Sequence, residues 1–321
     1  MLTSQLRLRV ILLSSMLAAV IFFICGSLLV VQASESTMNT TPSKLKLSYV
    51  RQFNLGFKYA DTDDFRVWVA GLATTAQRLV AYNPKVHQFW VFDLSGRKVA
   101  SFGNEGMRPG EFMTPTGVAF DQNSNMLVAD EGIPVIRRYR LNGQYIDDAT
   151  QTVTGITGWS DVAWSNGVLV GSPSTFDSFR NKKGVYIFSK GKPRELCQQC
   201  FGSIALGADN LVYLVDEMTP PKEFVLPHLL VVNQTGKVQL RTAFPATGII
   251  HDLQYWPEAG GFIVSYYGRV NVLLIRPGGK QVESLLDINN KTIVTLLPYH
   301  NELYIVSSDG KVTVYKLQTA K

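Results

Sequence analysis

Residues Phe102–Asp121 read FGNEGMRPGEFMTPTGVAFD, a stretch rich in glycine and proline that ends in a short apolar run. A second apolar run, MLVAD (126–130), follows after a polar turn. Short apolar runs separated by glycine, proline and asparagine are typical of β-strands joined by turns. The stretch is therefore either one irregular loop between two strands or one unit of a repeat.

Runs similar to MLVAD recur along the whole chain. Six such runs begin about 42–49 residues apart: RLVAY (78–82), MLVAD (126–130), VLVGS (168–172), YLVDE (213–217), FIVSY (262–266) and YIVSS (304–308). Each has a further apolar run before it and a β-rich run after it, and most units add a fourth short strand after a glycine-containing turn. This period and this number of strands are those of β-propeller blades.

The ends of the repeat predict how the ring closes. The sixth unit stops at Lys321, directly after its third strand, while LKLSYVRQF (Leu45–Phe53) precedes the first unit without a place in it. If this segment supplies the outer strand of the last blade, no ragged edge remains between the first and last blades. We therefore predict an all-β fold, a six-bladed β-propeller with four-stranded blades over residues 45–321, closed by its N-terminal strand.

One unit resembles a known repeat family. Gly103 to Gly132 resembles an NHL repeat, and the matching residues are Gly103, Gly106, Gly110, Phe112, Pro115, Gly117, Ala119, Asp121, Ala129 and Asp130. The N-x-R-[IV] motif that the family has downstream is absent, because Ile133–Ile136 reads IPVI. The resemblance covers about a tenth of the chain and implies a six-bladed propeller, while a fold alone says little about function.

The N-terminus carries a strongly apolar segment. Val10–Val31 contains no charged residue and follows Arg7 and Arg9. A membrane-spanning helix needs about 20 such residues, and a positive flank predicts that the N-terminus stays in the cytoplasm. Because Val31-Gln32-Ala33 also matches a small-residue cleavage pattern, a removed signal peptide is the alternative.

The domain organisation follows from this segment. We predict an N-terminal hydrophobic helix, as signal-anchor or signal peptide, in residues 1–33, a polar linker in residues 34–44 and the propeller after it. The segment 10–31 would tether the protein to the membrane with the propeller outside the cytoplasm, or release it to the periplasm or medium if cleaved. The net charge of +6 comes from scattered basic residues, and export would leave no nucleic acid as a partner.

One face of the predicted propeller gathers polar residues. It contains the starts of the innermost strands and the ends of the second strands, and its candidate ligand-binding residues are Asp130, Asp161, His251 and Asp252. Asp161 in GWSDVAW and Asp252 in IIHDLQY occupy matching positions of two blades. Aligned on the repeat, the other blades carry Gly117, Ser203 and Thr292 at that position.

Asp161 and Asp252 are candidate metal ligands. Carboxylates at a channel mouth could hold a divalent cation such as calcium, which prefers several oxygen ligands. The alternative is that these aspartates accept hydrogen bonds from backbone N–H groups near turns. No other cofactor is expected. We assign no catalytic residue, because the chain has only four histidines and no nucleophile-elbow, metalloprotease or phosphate-loop motif.

Cys197 and Cys200 form the one C-x-x-C motif of the chain. Phe201, rather than histidine, follows the second cysteine, and no further cysteine pair exists to complete a zinc site. In an exported protein we expect a local disulfide between the third and fourth blades. A redox function is the alternative.

Two loops on the same face are longer than their counterparts and combine aromatic and basic residues. Ser172–Gly184 contains Phe176, Phe179 and Arg180, and Glu217–His228 contains Phe224. Exposed residues of this kind are typical of protein–protein interfaces. We therefore expect a membrane-tethered scaffold that binds an unidentified protein or peptide. The alternative is a metal-dependent lyase or lactonase with its site at the central channel.

Overall fold

A computed structural model describes residues 41–42, 44–61, 68–174, 177, 183–198, 200–216, 228–243, 250–266, 271–277, 282–287 and 293–319. Residues Thr40–Lys321 form one compact unit. Its sheets confirm the predicted six-bladed propeller of four-stranded blades. The predicted N-terminal helix lies outside the described residues. Within the part of the chain that is described, no helix has the length and apolar character needed to cross a membrane.

Strands β1 (Thr41–Pro42) and β2 (Leu45–Asn54) come before the first blade. Blades 1 to 3 then follow in chain order, with strands running from the channel outward. Blade 1 consists of β3 (Ala70–Ala73), β4 (Arg78–Asn83), β5 (Gln88–Asp93) and β6 (Lys98–Phe102), and the short β7 (Asn104–Glu105) and β8 (Glu111–Phe112) follow it. Blade 2 consists of β9 (Pro115–Phe120), β10 (Met126–Asp130), β11 (Arg137–Tyr139) and β12 (Tyr145–Asp148). Blade 3 consists of β13 (Trp159–Ser165), β14 (Val168–Pro173), β15 (Val185–Ser189) and β16 (Lys192–Cys197).

Blades 4 to 6 repeat the arrangement. In the part of the chain that the structure describes, short 3-10 helices lie between strands at Tyr59–Asp61 and Pro257–Ala259. Blade 4 consists of β17 (Ile204–Leu206), β18 (Val212–Asp216), β19 (His228–Val232) and β20 (Val238–Ala243). Blade 5 consists of β21 (Ile250–Trp256), β22 (Gly261–Tyr266), β23 (Asn271–Ile275) and β24 (Val282–Asp287). Blade 6 contains β25 (Ile293–Tyr299), β26 (Glu302–Ser307) and β27 (Lys311–Thr319).

The N-terminal segment closes the ring as predicted. Strand β2 pairs antiparallel with β27 from Leu45↔Thr319 to Asn54↔Lys311 and becomes the outer strand of blade 6. One contact was not predicted: β1 pairs in parallel with β24, the outer strand of blade 5. The N-terminal segment therefore lies along two blades before the first blade begins.

Burial explains why the repeated runs are apolar throughout rather than alternating. The second strands lie between neighbouring blades on both faces, so that β4 and β10 are buried along nearly their whole length. The outer strands β6 and β12 meet solvent and are only partly buried. Residues from adjacent blades form shared hydrophobic clusters, of which one joins β13–β16 to β17–β19.

The glycine-rich stretch of residues 103–114 is an ordered connection between blades 1 and 2. Its strands β7 and β8 pair in parallel. Gly103 has φ +108°, and a Cβ there would lie 2.6 Å from the Phe112 ring, so glycine is required on both counts. The Arg137 side chain donates to the carbonyls of Met107 (2.7 Å) and Arg108 (3.0 Å), which attaches the loop to blade 2.

Candidate functional site

The entrance of the channel is built from irregular strand starts. In β9, β13, β21 and β25 the pairing with the second strand shifts by one residue near the first residues of the strand. Such a β-bulge changes the direction of the side chains next to it. The residues directly after the bulge are Gly117, Asp161, Asp252 and Thr295. The matching positions of Asp161 and Asp252 are confirmed, whereas blade 6 carries Thr295 there and not Thr292.

Asp161 lies between blades. Its Oδ2 accepts a hydrogen bond from the Ile204 N–H of blade 4 at 2.9 Å, and its Oδ1 accepts one from its own neighbour Val162 at 2.8 Å. On the other side, a Cβ added to Gly117 of blade 2 would lie 2.9 Å from Oδ1. Glycine at this position leaves the space that the Asp161 carboxyl occupies.

Asp252 makes the equivalent connection between blades 5 and 6. Its Oδ2 accepts hydrogen bonds from the Thr295 hydroxyl (2.5 Å) and the Leu296 N–H (2.6 Å). Its Oδ1 accepts from the Gln254 side-chain amide at 2.8 Å. Both aspartates thus satisfy N–H groups on the channel edge of the next innermost strand, where no further strand can pair.

Both carboxyls are withdrawn from solvent, although Asp161 as a whole residue is partly exposed and Asp252 is buried. The negative charge of Asp252 also acts on Asp161. Desolvation by burial raises the pKa of Asp161 to about 7; the N–H groups of Ile204 and Val162 lower it, and the negative charge of Asp252 raises it. Burial also raises the pKa of Asp252, against the hydrogen bonds that it accepts. A carboxyl that titrates near neutrality can both accept and donate a proton.

Asp130 has a different environment. Its carboxylate accepts hydrogen bonds from the backbone N–H groups of Met113 (2.9 Å), Thr114 (3.0 Å) and Gly132 (2.9 Å). These contacts join the end of β10 to the segment that leads into β9. Burial raises the pKa of Asp130, and the three N–H donors lower it. Its geometry is that of a residue that holds a turn.

The donors that the structure describes at the channel entrance do not by themselves form a metal centre. Among the residues that the structure describes, no group of three His, Cys, Asp or Glu side chains could hold a metal ion. Asp161 and Asp252 instead direct their oxygens at N–H and O–H donors of neighbouring strands. We therefore derive no step through a bound cation.

Several residues that the sequence predicts to bind a ligand or partner have side chains outside the described residues. His251 is the extra residue of the bulge in β21, and its side chain lies outside the described residues. Phe176, Phe179, Arg180 and Phe224, the predicted binding lip, also lie outside them. The structure does join Cys197 and Cys200 in a disulfide.

Sequence reasoning missed Asp177, which holds the entry to β13. Its buried carboxylate accepts hydrogen bonds from the N–H groups of Thr157 (2.6 Å) and Gly158 (3.2 Å) and from the Ser174 hydroxyl (3.0 Å). The signal was the serine three positions before an aspartate, a pattern that favours local side-chain to backbone bonds. The sequence spacing to Thr157 gave no indication of the long-range contact.

The fold is similar to that of several solved enzymes. A gluconolactonase from Xanthomonas campestris has a TM-score of 0.60 at 13% identity, over 88% of this chain and 96% of that one. Virginiamycin B lyase from Staphylococcus aureus has a TM-score of 0.55 at 10% identity, covering 85% and 99%. A streptogramin B lyase has a TM-score of 0.57 at 12% identity, covering 85% and 98%. No protein-family model and no curated protein sequence matches the chain.

Proposed function

We propose that this protein is a lactonase or lyase that opens a cyclic ester at the entrance of the propeller channel. The observation that carries the proposal is Asp161, a partly exposed residue at that entrance, where burial of the carboxyl raises its pKa to about 7. The names of the similar structures, a gluconolactonase and two lyases, support it. Since those proteins are at most 13% identical, they support the fold and the reaction class, and no residue is transferred from them.

The proposed step uses Asp161 as an acid–base group. In hydrolysis, ionised Asp161 accepts a proton from a water molecule while the water oxygen bonds to the ester carbonyl carbon. The ring C–O bond then breaks, and the proton returns from Asp161 to the leaving oxygen, giving a hydroxy acid. In a lyase reaction, Asp161 would instead take a proton from the carbon next to the one that bears the leaving oxygen. General acid–base catalysis of this kind contributes about 10²–10⁴-fold in rate.

A lactone assay tests the proposal. Purified full-length protein is mixed with glucono-δ-lactone and δ-valerolactone, with and without EDTA, and proton release is recorded. We expect turnover that rises with pH through about 7 and falls at least about 100-fold in Asp161→Asn. The product mass shows the reaction: it increases by one water in hydrolysis and stays unchanged in elimination.

Asp121→Asn is the matched control. Asp121 is a buried residue that, like Asp161, accepts backbone hydrogen bonds, from Asn123 and Asn125 (both 2.9 Å), but it lies beyond the opposite end of innermost strand β9. It should keep full activity. No turnover of any lactone, or equal losses in the two variants, would contradict the proposed role. Loss of turnover in EDTA alone would assign the chemistry to a bound cation instead.

We also propose a location, a repeat type and a binding surface for the propeller. Residues 10–31 tether the propeller to the membrane outside the cytoplasm, where it would meet lactones from the surroundings. The unit at residues 103–132 is proposed to be an NHL-type repeat. Binding of a protein or peptide at the lip of Phe176, Phe179 and Phe224 would be tested by replacing all three and comparing the proteins captured from membranes.

A further inference from the structure

The Cys197–Cys200 disulfide lies where the chain passes from blade 3 to blade 4. Cys197 is the last residue of the outer strand β16, and its backbone pairs with Val185 of β15. Cys200 is buried, and its Sγ accepts a hydrogen bond from the Val185 N–H at 3.5 Å. Both cysteines belong to the hydrophobic cluster shared by the two blades. The disulfide thus connects the rim of one blade to the segment that enters the next.

The segment after Cys200 reaches the channel within four residues. The Gly202 N–H donates to the Ser172 hydroxyl at 3.5 Å, and the Ile204 N–H donates to Asp161 Oδ2 at 2.9 Å. Ser172 lies directly opposite Asp161 on β14. Two N–H groups of blade 4 therefore contact one cross-strand pair of blade 3.

The strand that carries this N–H is short. The innermost strand β17 has only three residues, whereas β13, β21 and β25 have seven each. A strand this short has few backbone hydrogen bonds that define its position. A disulfide just before it therefore limits the positions that its first residues can take.

We propose that the Cys197–Cys200 disulfide is a positioning element for Asp161. It fixes the crossover, the segment between β16 and β17, from whose end Ile204 donates its N–H to the Asp161 carboxylate. The N–H favours the ionised form of the carboxyl, which is the form that accepts a proton. The inference deepens the proposed function but is measured on the hydrogen bond itself, so the two can fail separately.

The test is NMR of full-length protein labelled with ¹⁵N-isoleucine. In the wild type, the Ile204 amide proton shift should follow the titration of Asp161, and this response should be absent in Asp161→Asn. In the double variant Cys197→Ser/Cys200→Ser we expect a smaller response, exchange of the Ile204 amide with solvent about tenfold faster, and a pKa of Asp161 higher by about one pH unit.

Reduction of the folded wild type provides the second measurement if the double variant does not fold. A water-soluble phosphine converts the disulfide to two thiols and is itself oxidised to the phosphine oxide, with oxygen supplied by water. The same changes at Ile204 are expected after reduction.

Leu230→Ala is the control for lost packing alone. Leu230 is buried in the same cluster but lies on the third strand of blade 4, away from the crossover. It should lower stability and leave the Ile204 response unchanged. An unchanged Ile204 response and exchange rate after loss of the disulfide would overturn the proposal, as would an equal change in Leu230→Ala. If no lactone is turned over but Ile204 still responds, the positioning role stands and only the proposed function falls.

Discussion

Two aspartates at equivalent positions connect neighbouring blades at the channel. Each reaches the free edge of the next innermost strand, where an N–H group would otherwise lack a strand partner. Burial makes their ionised forms costly, and the N–H and O–H donors offset only part of this cost. Asp161 and Asp252 therefore connect neighbouring blades at the channel, and the pKa of each is raised.

The raised pKa of Asp161 predicts a specific dependence of stability on pH. Its folded-state pKa of about 7 exceeds the unfolded value of 3.8, so the folded protein binds more protons between these values. The free energy of unfolding should therefore fall as the pH rises from about 4 to about 7 and then level off. The contribution of this group is at most about 4 kcal/mol. Urea denaturation at pH 5 and pH 8 measures the part of this contribution that is lost between those two values.

The variant Asp161→Asn removes the titrating group and so shows how much of the pH dependence of stability comes from Asp161. The variant should lose less stability than the wild type between pH 5 and pH 8, because an amide in this place carries no charge to desolvate. The buried Asp252 contributes a dependence of the same sign in both proteins. Parallel stability profiles for the two proteins would show that Asp161 has an ordinary pKa.

At the scale of the element, ring closure depends on β2. Arg51 of this strand is within 3.3 Å of Glu302 Oε1 and donates to the Tyr304 hydroxyl at 2.8 Å, both in β26, and to the Leu94 carbonyl of blade 1 at 3.5 Å. The strand therefore pairs with the last blade while a side chain contacts the first. Without it, β27 would have an unpaired edge.

Removal of β2 should abolish cooperative folding. We expect a chain that begins at Leu55 to show no cooperative thermal transition by circular dichroism, since it loses the pairing with β27 and the Arg51 contacts together. A chain that begins at Lys44 is the control, because it lacks β1 and all that precedes it but keeps β2. It should unfold cooperatively, close to the midpoint of the full chain. Similar transitions in both shortened chains would mean that the ring holds without this strand.

At the scale of the whole molecule, the proposed export has a consequence for the disulfide. Disulfides persist mainly in oxidising compartments, so the Cys197–Cys200 bond would persist if residues 10–31 direct export as we propose. Alkaline phosphatase fused after Lys321 in a Gram-negative host should therefore be active. Fusion to a chain that lacks residues 1–33 should be inactive. An inactive full-length fusion would place the propeller in the cytoplasm, and recovery in the soluble periplasmic fraction would show cleavage.

The number of blades, their strands and the closure by Leu45–Phe53 were determined by the sequence alone. They follow from apolar runs at a fixed period, and this signal is local because a strand buried on both faces needs an uninterrupted apolar run. The matched positions of Asp161 and Asp252 could be read from the same repeat. Their motif did not distinguish a metal site from a backbone connection.

Only the tertiary structure decided what these aspartates contact. A β-bulge adds one residue without a sequence signal, and only the observed strand pairing identifies Thr295, rather than the predicted Thr292, as the matching position in blade 6. The hydrogen-bond donors to Asp161 and Asp252 include backbone N–H groups 43 and 44 residues away, and any residue type except proline supplies such a group. The pKa of Asp161 likewise depends on burial and on a charge two blades away, which exist only once the ring has formed.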